Sequence, residues 1–341
     1  IRTYSIGFED KEYDEAPFAR QVAKYLETNH TEYYISHNEM LDLVRSIPIY
    51  YDEPFADSSQ ICTMLVSSLA SKEVKVVLTG DGGDELFGGY TIYEKLALAQ
   101  KKKVLGWMLH NLLKIPYVQS RFEYTTVPLV YRIASESFDV KTKTQTGSGQ
   151  YFEILDKILI QKKHINYLDP IEDIYKEDDW VYTRMLLDLD TYLPGDILCK
   201  VDRASMKYSL EARCPFLDKS IIEFSLGLPL EYKIKNNELK RILKDITFKY
   251  IPKELMDRPK KGFGVPIEHW LKNEFKEELW DYTDTNYLKR QGIFEPIETQ
   301  NFISFFMNNK DGGQNTGKNY AKFVWSYFVF QQWYSAFFIQ K

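Results

Sequence analysis

Residues able to do chemistry are most concentrated in the stretch Val76-Val77-Leu78-Thr79-Gly80-Asp81-Gly82-Gly83-Asp84-Glu85-Leu86-Phe87-Gly88-Gly89-Tyr90. It reads as an apolar strand running into a glycine-rich turn and then a helix. Glycines let backbone N–H groups approach a phosphate or ribose, and the N-terminus of the following helix adds positive potential for an anion. Asp81, Asp84 and Glu85 supply carboxylates suited to magnesium, which takes a few protein oxygens and completes its shell with phosphate. A calcium loop or a plain tight turn uses the same residue types, so the motif alone leaves these readings open.

Three other groups carry charge or hydroxyls worth placing. Lys240, in Glu238-Leu239-Lys240-Arg241-Ile242-Leu243-Lys244, offers an ammonium for developing phosphate charge, or is one of several lysines on a solvated helix face. Arg258, Lys260 and Lys261 sit in a loop bounded by Pro and Gly, either an ordinary surface loop or a lid that keeps water from a hydrolysable intermediate. Ser58, Ser59 and Gln60 follow an acidic turn, where hydroxyls face a substrate or cap the next helix. None of the five histidines forms a pair at metal-ligand spacing.

The elements that must position these groups follow from periodicity. β-branched and aromatic runs at residues 3–6, 32–35 and 75–78 predict strands, and helical spacing at 15–26, 39–47 and 61–71 separates them. Such alternation predicts α/β architecture, a parallel sheet with flanking helices and ligands beyond the carboxyl ends of its strands. After about residue 95 strand signals fade. The rest reads as helices at 181–192, 202–210, 220–226, 239–250, 274–282 and 321–338, so the chain divides into an α/β core over 1–95 and a mainly helical extension over 96–341. Polar, glycine-bearing stretches at 141–149 and 308–318 predict loops, and the aromatic run from Phe323 to Tyr334 predicts a core-packing helix.

Bulk properties narrow the function classes. With 44% hydrophobic and 15% aromatic residues in 341, the chain is an ordered globular one. A net charge of −5 lacks the basic footprint of a nucleic-acid binder. Three scattered cysteines suit a reducing compartment, with cytoplasm the expected location. No apolar run is long enough for a membrane helix, since Gln331 and Gln332 interrupt the longest candidate.

The stretch Thr79–Tyr90 resembles the signature of asparagine synthetases, commonly Ser-Gly-Asp/Glu-Gly-Ser/Gly-Asp-Glu, a hydrophobic pair and Gly-Gly-Tyr, with Thr79 the one departure. The resemblance continues in order through Thr3-Tyr4-Ser5-Ile6-Gly7-Phe8, Tyr51-Asp52-Glu53-Pro54-Phe55-Ala56-Asp57-Ser58-Ser59 and Lys200-Val201-Asp202-Arg203-Ala204-Ser205-Met206. It ends with Glu211-Ala212-Arg213-Cys214-Pro215-Phe216-Leu217-Asp218 and the segment from Asp257 to Pro266. It implies one synthetase-type domain over residues 1–341, with the adenine-nucleotide alpha-hydrolase-like fold of PP-loop ATP pyrophosphatases, and an ATP-dependent amide ligase.

That chemistry adenylates the side-chain carboxylate of aspartate and transfers ammonia, giving asparagine, AMP and pyrophosphate. By position in the motifs, Ile6, Thr79 and Gly80 contact the nucleotide, and Asp84 is a ligand of Mg2+. Asp81 acts in adenylate formation and in handling the attacking amine, and Lys240 steadies the departing pyrophosphate. Two family features are not found here: the Ser-Gly-Gly-x-Asp-Ser-Ser phosphate loop and an N-terminal cysteine glutaminase domain that supplies ammonia from glutamine. Both are expected upstream of Ile1, and without that loop residues 1–341 alone are expected to be inactive. Alternatives are the same reaction on a sugar acid or β-lactam-type carboxylate, or a non-catalytic binding module. A homodimer is permitted.

Overall fold

Two parallel strand pairs frame the site in the computed structural model, which describes residues 1–8, 14–102, 104, 108, 149–161, 179–236, 238–256, 265–309 and 320–339. β1 (Arg2–Phe8) pairs with β2 (Asn29–Ile35), Ile6 opposite Tyr33. Helix α1 (Ala16–Tyr25), opened by Pro17 where a missing N–H costs nothing, connects them and packs on both. This is the predicted βα unit. Burial increases along β1 until Ile6 and Phe8 reach the core.

Helix α2 (His37–Tyr50) starts earlier and ends later than the expected 39–47, for local reasons. Ser36 and Glu39 form a capping box, the Glu39 N–H donating to Ser36 Oγ at 3.4 Å and the Ser36 N–H to Glu39 Oε2 at 3.0 Å. At the other end the helix runs through Pro48. Helix α3 (Gln60–Ser71) then packs on β1.

The third strand corrects two expectations. β3 (Val76–Leu78) pairs, in parallel, with β4 (Glu211–Arg213) and not with β1 or β2, so the described strands form two separate two-stranded sheets. β4 lies in the part of the chain expected to be helical. Glu-Ala-Arg has no strand propensity of its own; tertiary pairing makes it a strand. The Glu211 N–H donates to the Lys75 carbonyl and the Thr79 N–H to the Arg213 carbonyl, both at 2.9 Å.

Helices dominate the remainder. After β3 come α4 (Gly83–Phe87) and α5 (Thr91–Lys101), whose Tyr93, Leu96 and Ala99 pack on Trp180, Val181 and Met185 of α6 (Trp180–Leu187). The predicted helix 181–192 continues from α6 as a π-helix, Asp188–Leu198, containing Pro194, which has no N–H to give. It leads directly into α7 (Cys199–Met206), which packs on α3. Further on are α8 (Arg241–Thr247), α9 (Ile267–Lys272) and α10 (Tyr320–Tyr334).

The aromatic run packs the core as expected. Phe323, Val324, Trp325 and Phe328 of α10 are buried, with Trp325 and Trp270 ring centroids 6.4 Å apart and Phe328 and Phe275 at 5.0 Å. Buried Gln331 is satisfied by Tyr287 Oη–H at 2.7 Å and Gln291 Nε2–H at 2.8 Å. The loops expected at 141–149 and 308–318 fall largely outside the described residues, as does the basic loop Asp257–Gly264.

Candidate active site

The turn after β3 is fixed by the strand that follows it in space. Its backbone tie to Arg213 brings Thr79 Oγ1 within 3.3 Å of Cys214 Sγ. Gly80 has open space where a side chain would stand, leaving its backbone approachable. Gly82 has φ +85°, and Leu217 packs against its Cα where a Cβ would be. The Gly83 N–H returns to the Gly80 carbonyl at 3.2 Å and closes the turn into α4. The segment after β4 thus shapes the turn that precedes α4.

Two residues nominated from separate motifs meet here. Lys240 Nζ lies 2.9 Å from Asp84 Oδ1, with the two side chains 33% and 26% exposed. Both cross the Cα of Gly89, where a Cβ would collide with the Asp84 carboxylate and Lys240 Cε. Lys240 does not ride on the helix body expected over 239–250; it is the N-cap of α8, with φ +55°. A left-handed backbone at a lysine costs on the order of 1–3 kcal/mol and persists only where surrounding structure imposes it. Paired in this way, an ammonium and a carboxylate at a strand-end turn can separate to take an anion and a cation.

Glu85, the third candidate carboxylate, has a different role. It is 1% exposed, and Tyr90 Oη–H donates to its Oε1 at 2.6 Å. Burial, only partly offset by this hydrogen bond, holds its carboxyl above the usual range. Glu85 is therefore a core group and leaves Asp81 and Asp84 as the accessible acids of the turn. Among the described residues no three His, Cys, Asp or Glu side chains converge as a metal cage. The donor set fits magnesium in one way, with Asp84 as a protein ligand and phosphate oxygens supplying most of the shell.

A cavity of about 780 Å³ opens beside the turn. Thr79, Gly80 and Asp81 line it together with Arg2–Tyr4 of β1, Ser59 just before α3, Thr63 of α3, and Lys200 of α7. Lys200 is 8% exposed and donates to Asp57 Oδ2 at 2.8 Å and to Ser59 Oγ at 2.9 Å. Asp57 also accepts the Ser59 N–H at 2.9 Å and the Ser59 Oγ–H at 2.7 Å. Burial raises the Asp57 carboxyl, but the Lys200 charge and these hydrogen bonds outweigh it and hold the group below its ordinary value. Asp196, at the end of the π-helix, is pushed up to about 6 by burial and by the Asp57 charge.

The nominated residues therefore divide. Thr79, Gly80, Asp81, Asp84 and Lys240 cluster at one turn, and Ser59 reaches the same cavity. Ser58 is not on the cavity wall, and neither serine hydroxyl caps α3; the Asp57 carboxylate receives the Ser59 N–H there. Ile6 is 6% exposed in the core, outside the cavity wall, and leaves little surface for a ligand. Arg258, Lys260 and Lys261 lie outside the described residues. Sequence reasoning passed over Lys200 and Asp57 as candidates, although both stood in quoted motifs. The local signal is a lysine between apolar Cys199 and Val201 and an aspartate that follows the apolar pair Phe55-Ala56.

Comparison with known proteins places the chain in a family. Residues 1–335 match the family model of asparagine synthase. The chain is 29% identical to asparagine synthetase [glutamine-hydrolyzing] 1 of Bacillus subtilis, the match covering 98% of this chain and 52% of the relative. It is 22% identical to amidase chry2 of Gibberella zeae over 92% of this chain and 50% of that protein. It is also 22% identical to asparagine synthetase [glutamine-hydrolyzing] of Zea mays, over 80% of this chain and 34% of that protein. The chain spans about half the length, or less, of these curated relatives.

Proposed function

The chain belongs to the asparagine synthase family, and from that premise we propose that it carries the ATP-using half of an amide-forming ligase acting on aspartate. The observation that carries this reading is the Asp84–Lys240 pair at the turn after β3, beside a cavity that Thr79–Asp81 and Lys200 share. Thr79 and Gly80 receive the nucleotide, whose phosphates need close backbone approach. A PP-loop type nucleotide-binding fold, with 1–95 as its α/β core and 96–341 completing the site, is the corresponding architecture.

In this reading the side-chain carboxylate of aspartate attacks the α-phosphorus of ATP, and the bond to pyrophosphate breaks. Lys240 leaves Asp84 to meet the negative charge growing on the departing oxygens, a stabilisation strongest where charge develops. Magnesium held by Asp84 neutralises phosphate charge when bound. Ammonia then attacks the acyl carbon, AMP leaves with the electron pair of the acyl–oxygen bond, and Asp81 takes the proton that the new amide sheds. Glutamine, hydrolysed by a separate glutaminase domain, supplies the ammonia, a reading supported by the glutamine-hydrolyzing relatives. The free thiols Cys62, Cys199 and Cys214 fit a cytoplasmic setting.

The test is a panel of carboxylates (aspartate, β-lactam precursors, sugar acids) given to full-length protein with ATP, magnesium and glutamine or ammonia, followed by mass spectrometry. Asparagine, AMP and pyrophosphate in equal amounts are expected. ADP and phosphate as products, or amidation of another carboxylate only, contradict the proposal.

A further inference from the structure

We propose that Lys200 binds the α-carboxylate of the amino-acid substrate, with Asp57 and Ser59 as the residues that position it; this rests on the amide-forming reading above. Two cations line the cavity beside Thr79–Asp81 among the described residues, Arg2 and Lys200. Arg2 is 49% exposed in its side chain and committed to the Glu73 carboxylate at 3.1 Å and the Glu73 carbonyl at 3.3 Å. Lys200 is the buried one. Lys240, nearest the phosphate-facing acids, is already paired with Asp84. A dicarboxylate substrate that presents its side-chain carboxylate to ATP at the turn needs a second cation for its other carboxylate, and Lys200 is placed on the same wall.

Its hydrogen-bond arithmetic fits that task. An ammonium has three donors. Lys200 gives one to Asp57 and one to Ser59, and no described residue takes the third. Both Asp57 oxygens are engaged, one by the Ser59 N–H and the other by Lys200 and the Ser59 hydroxyl. The ammonium is thus held in one place while retaining a donor for a ligand. The scaffold is equally fixed: Lys200 lies in the first turn of α7, and Asp57 and Ser59 lie at the start of α3, which packs against it. Burial alone would give a core lysine no reason to sit on a cavity wall.

The experiment measures pyrophosphate release by full-length protein, varying aspartate and ATP separately, for wild type, Lys200→Met, Lys200→Arg and Asp57→Asn. The 3-aminopropanoate analogue, which is aspartate without its α-carboxylate, is the competing substrate. In Lys200→Met, KM for aspartate should rise at least about tenfold, the weight of one charged hydrogen bond. KM for ATP should stay near wild type, and preference for aspartate over 3-aminopropanoate should collapse. Lys200→Arg should recover part of that preference. A rise confined to KM for ATP would make Lys200 a phosphate ligand, and a lower Tm with unchanged preference would make it structural; either result overturns the proposal. Should wild type release no pyrophosphate with aspartate, the amide-forming reading fails separately. Saturation-transfer NMR of aspartate then decides: a signal with wild type that Lys200→Met lacks supports the inference, and equal or absent signals in both sink it.

Discussion

Lys240 Nζ and Asp84 Oδ1 lie 2.9 Å apart across the Cα of Gly89, so the two charged groups of the turn share one steric support. A methyl group at Gly89 would occupy the space of the Asp84 carboxylate and Lys240 Cε. Gly89→Ala should therefore displace both side chains together. A shift of this kind in reacting groups costs on the order of 10²-fold in rate. Pyrophosphate release should fall by about that factor while circular dichroism stays native. Near-wild-type turnover in Gly89→Ala would show that the pair does not need this geometry.

Glu85 separates structure from metal chemistry within the same motif. Tyr90→Phe removes the hydroxyl that bonds the buried Glu85 carboxylate. The loss should be about 1–3 kcal/mol in urea unfolding, the cost of a buried polar group deprived of its partner. The magnesium dependence of turnover should not move. A changed magnesium requirement with unchanged stability would return Glu85 to the metal.

Lys233, close to Gly88, gives a pH signature. It is 1% exposed, and burial lowers its ammonium from the usual 10.5 to about 8. The charged form is thus disfavoured in the folded state, so stability is reduced below pH 8 and recovers as pH rises from 8 to 10.5. At about 1.36 kcal/mol per pH unit the penalty at neutral pH is on the order of 3 kcal/mol. Lys233→Met should accordingly be more stable than wild type at pH 7, with the gain shrinking steadily above pH 8. A gain that grows with pH would contradict this.

What the sequence disclosed follows the range of the forces involved. The strands Arg2–Phe8 and Asn29–Ile35 were legible because Tyr, Thr and Ile recur in short runs, and α10 because its aromatic residues cover nearly every face. The pairing of Val76–Leu78 with Glu211–Arg213 was not, since Glu-Ala-Arg carries no local strand preference and acquires its conformation from a partner far away in the chain. Lys240 was nominated from its motif, yet its place as a left-handed cap facing Asp84 depends on Gly89, which no periodicity reveals. Glu85 and Lys200 show the converse error. Both are charged residues whose burial overrides what their type suggests, one leaving the candidate metal site and the other joining the cavity wall.

In the proposed reaction Lys240, released from Asp84, stabilises the departing pyrophosphate. Rapid-quench measurement of pyrophosphate formation in full-length Lys240→Ala, at saturating ATP and aspartate, tests it most directly. The rate should fall by on the order of 10²–10³, the loss typical of one preorganised charge donor, while nucleotide affinity changes little. Pyrophosphate formed at the wild-type rate would contradict the assignment.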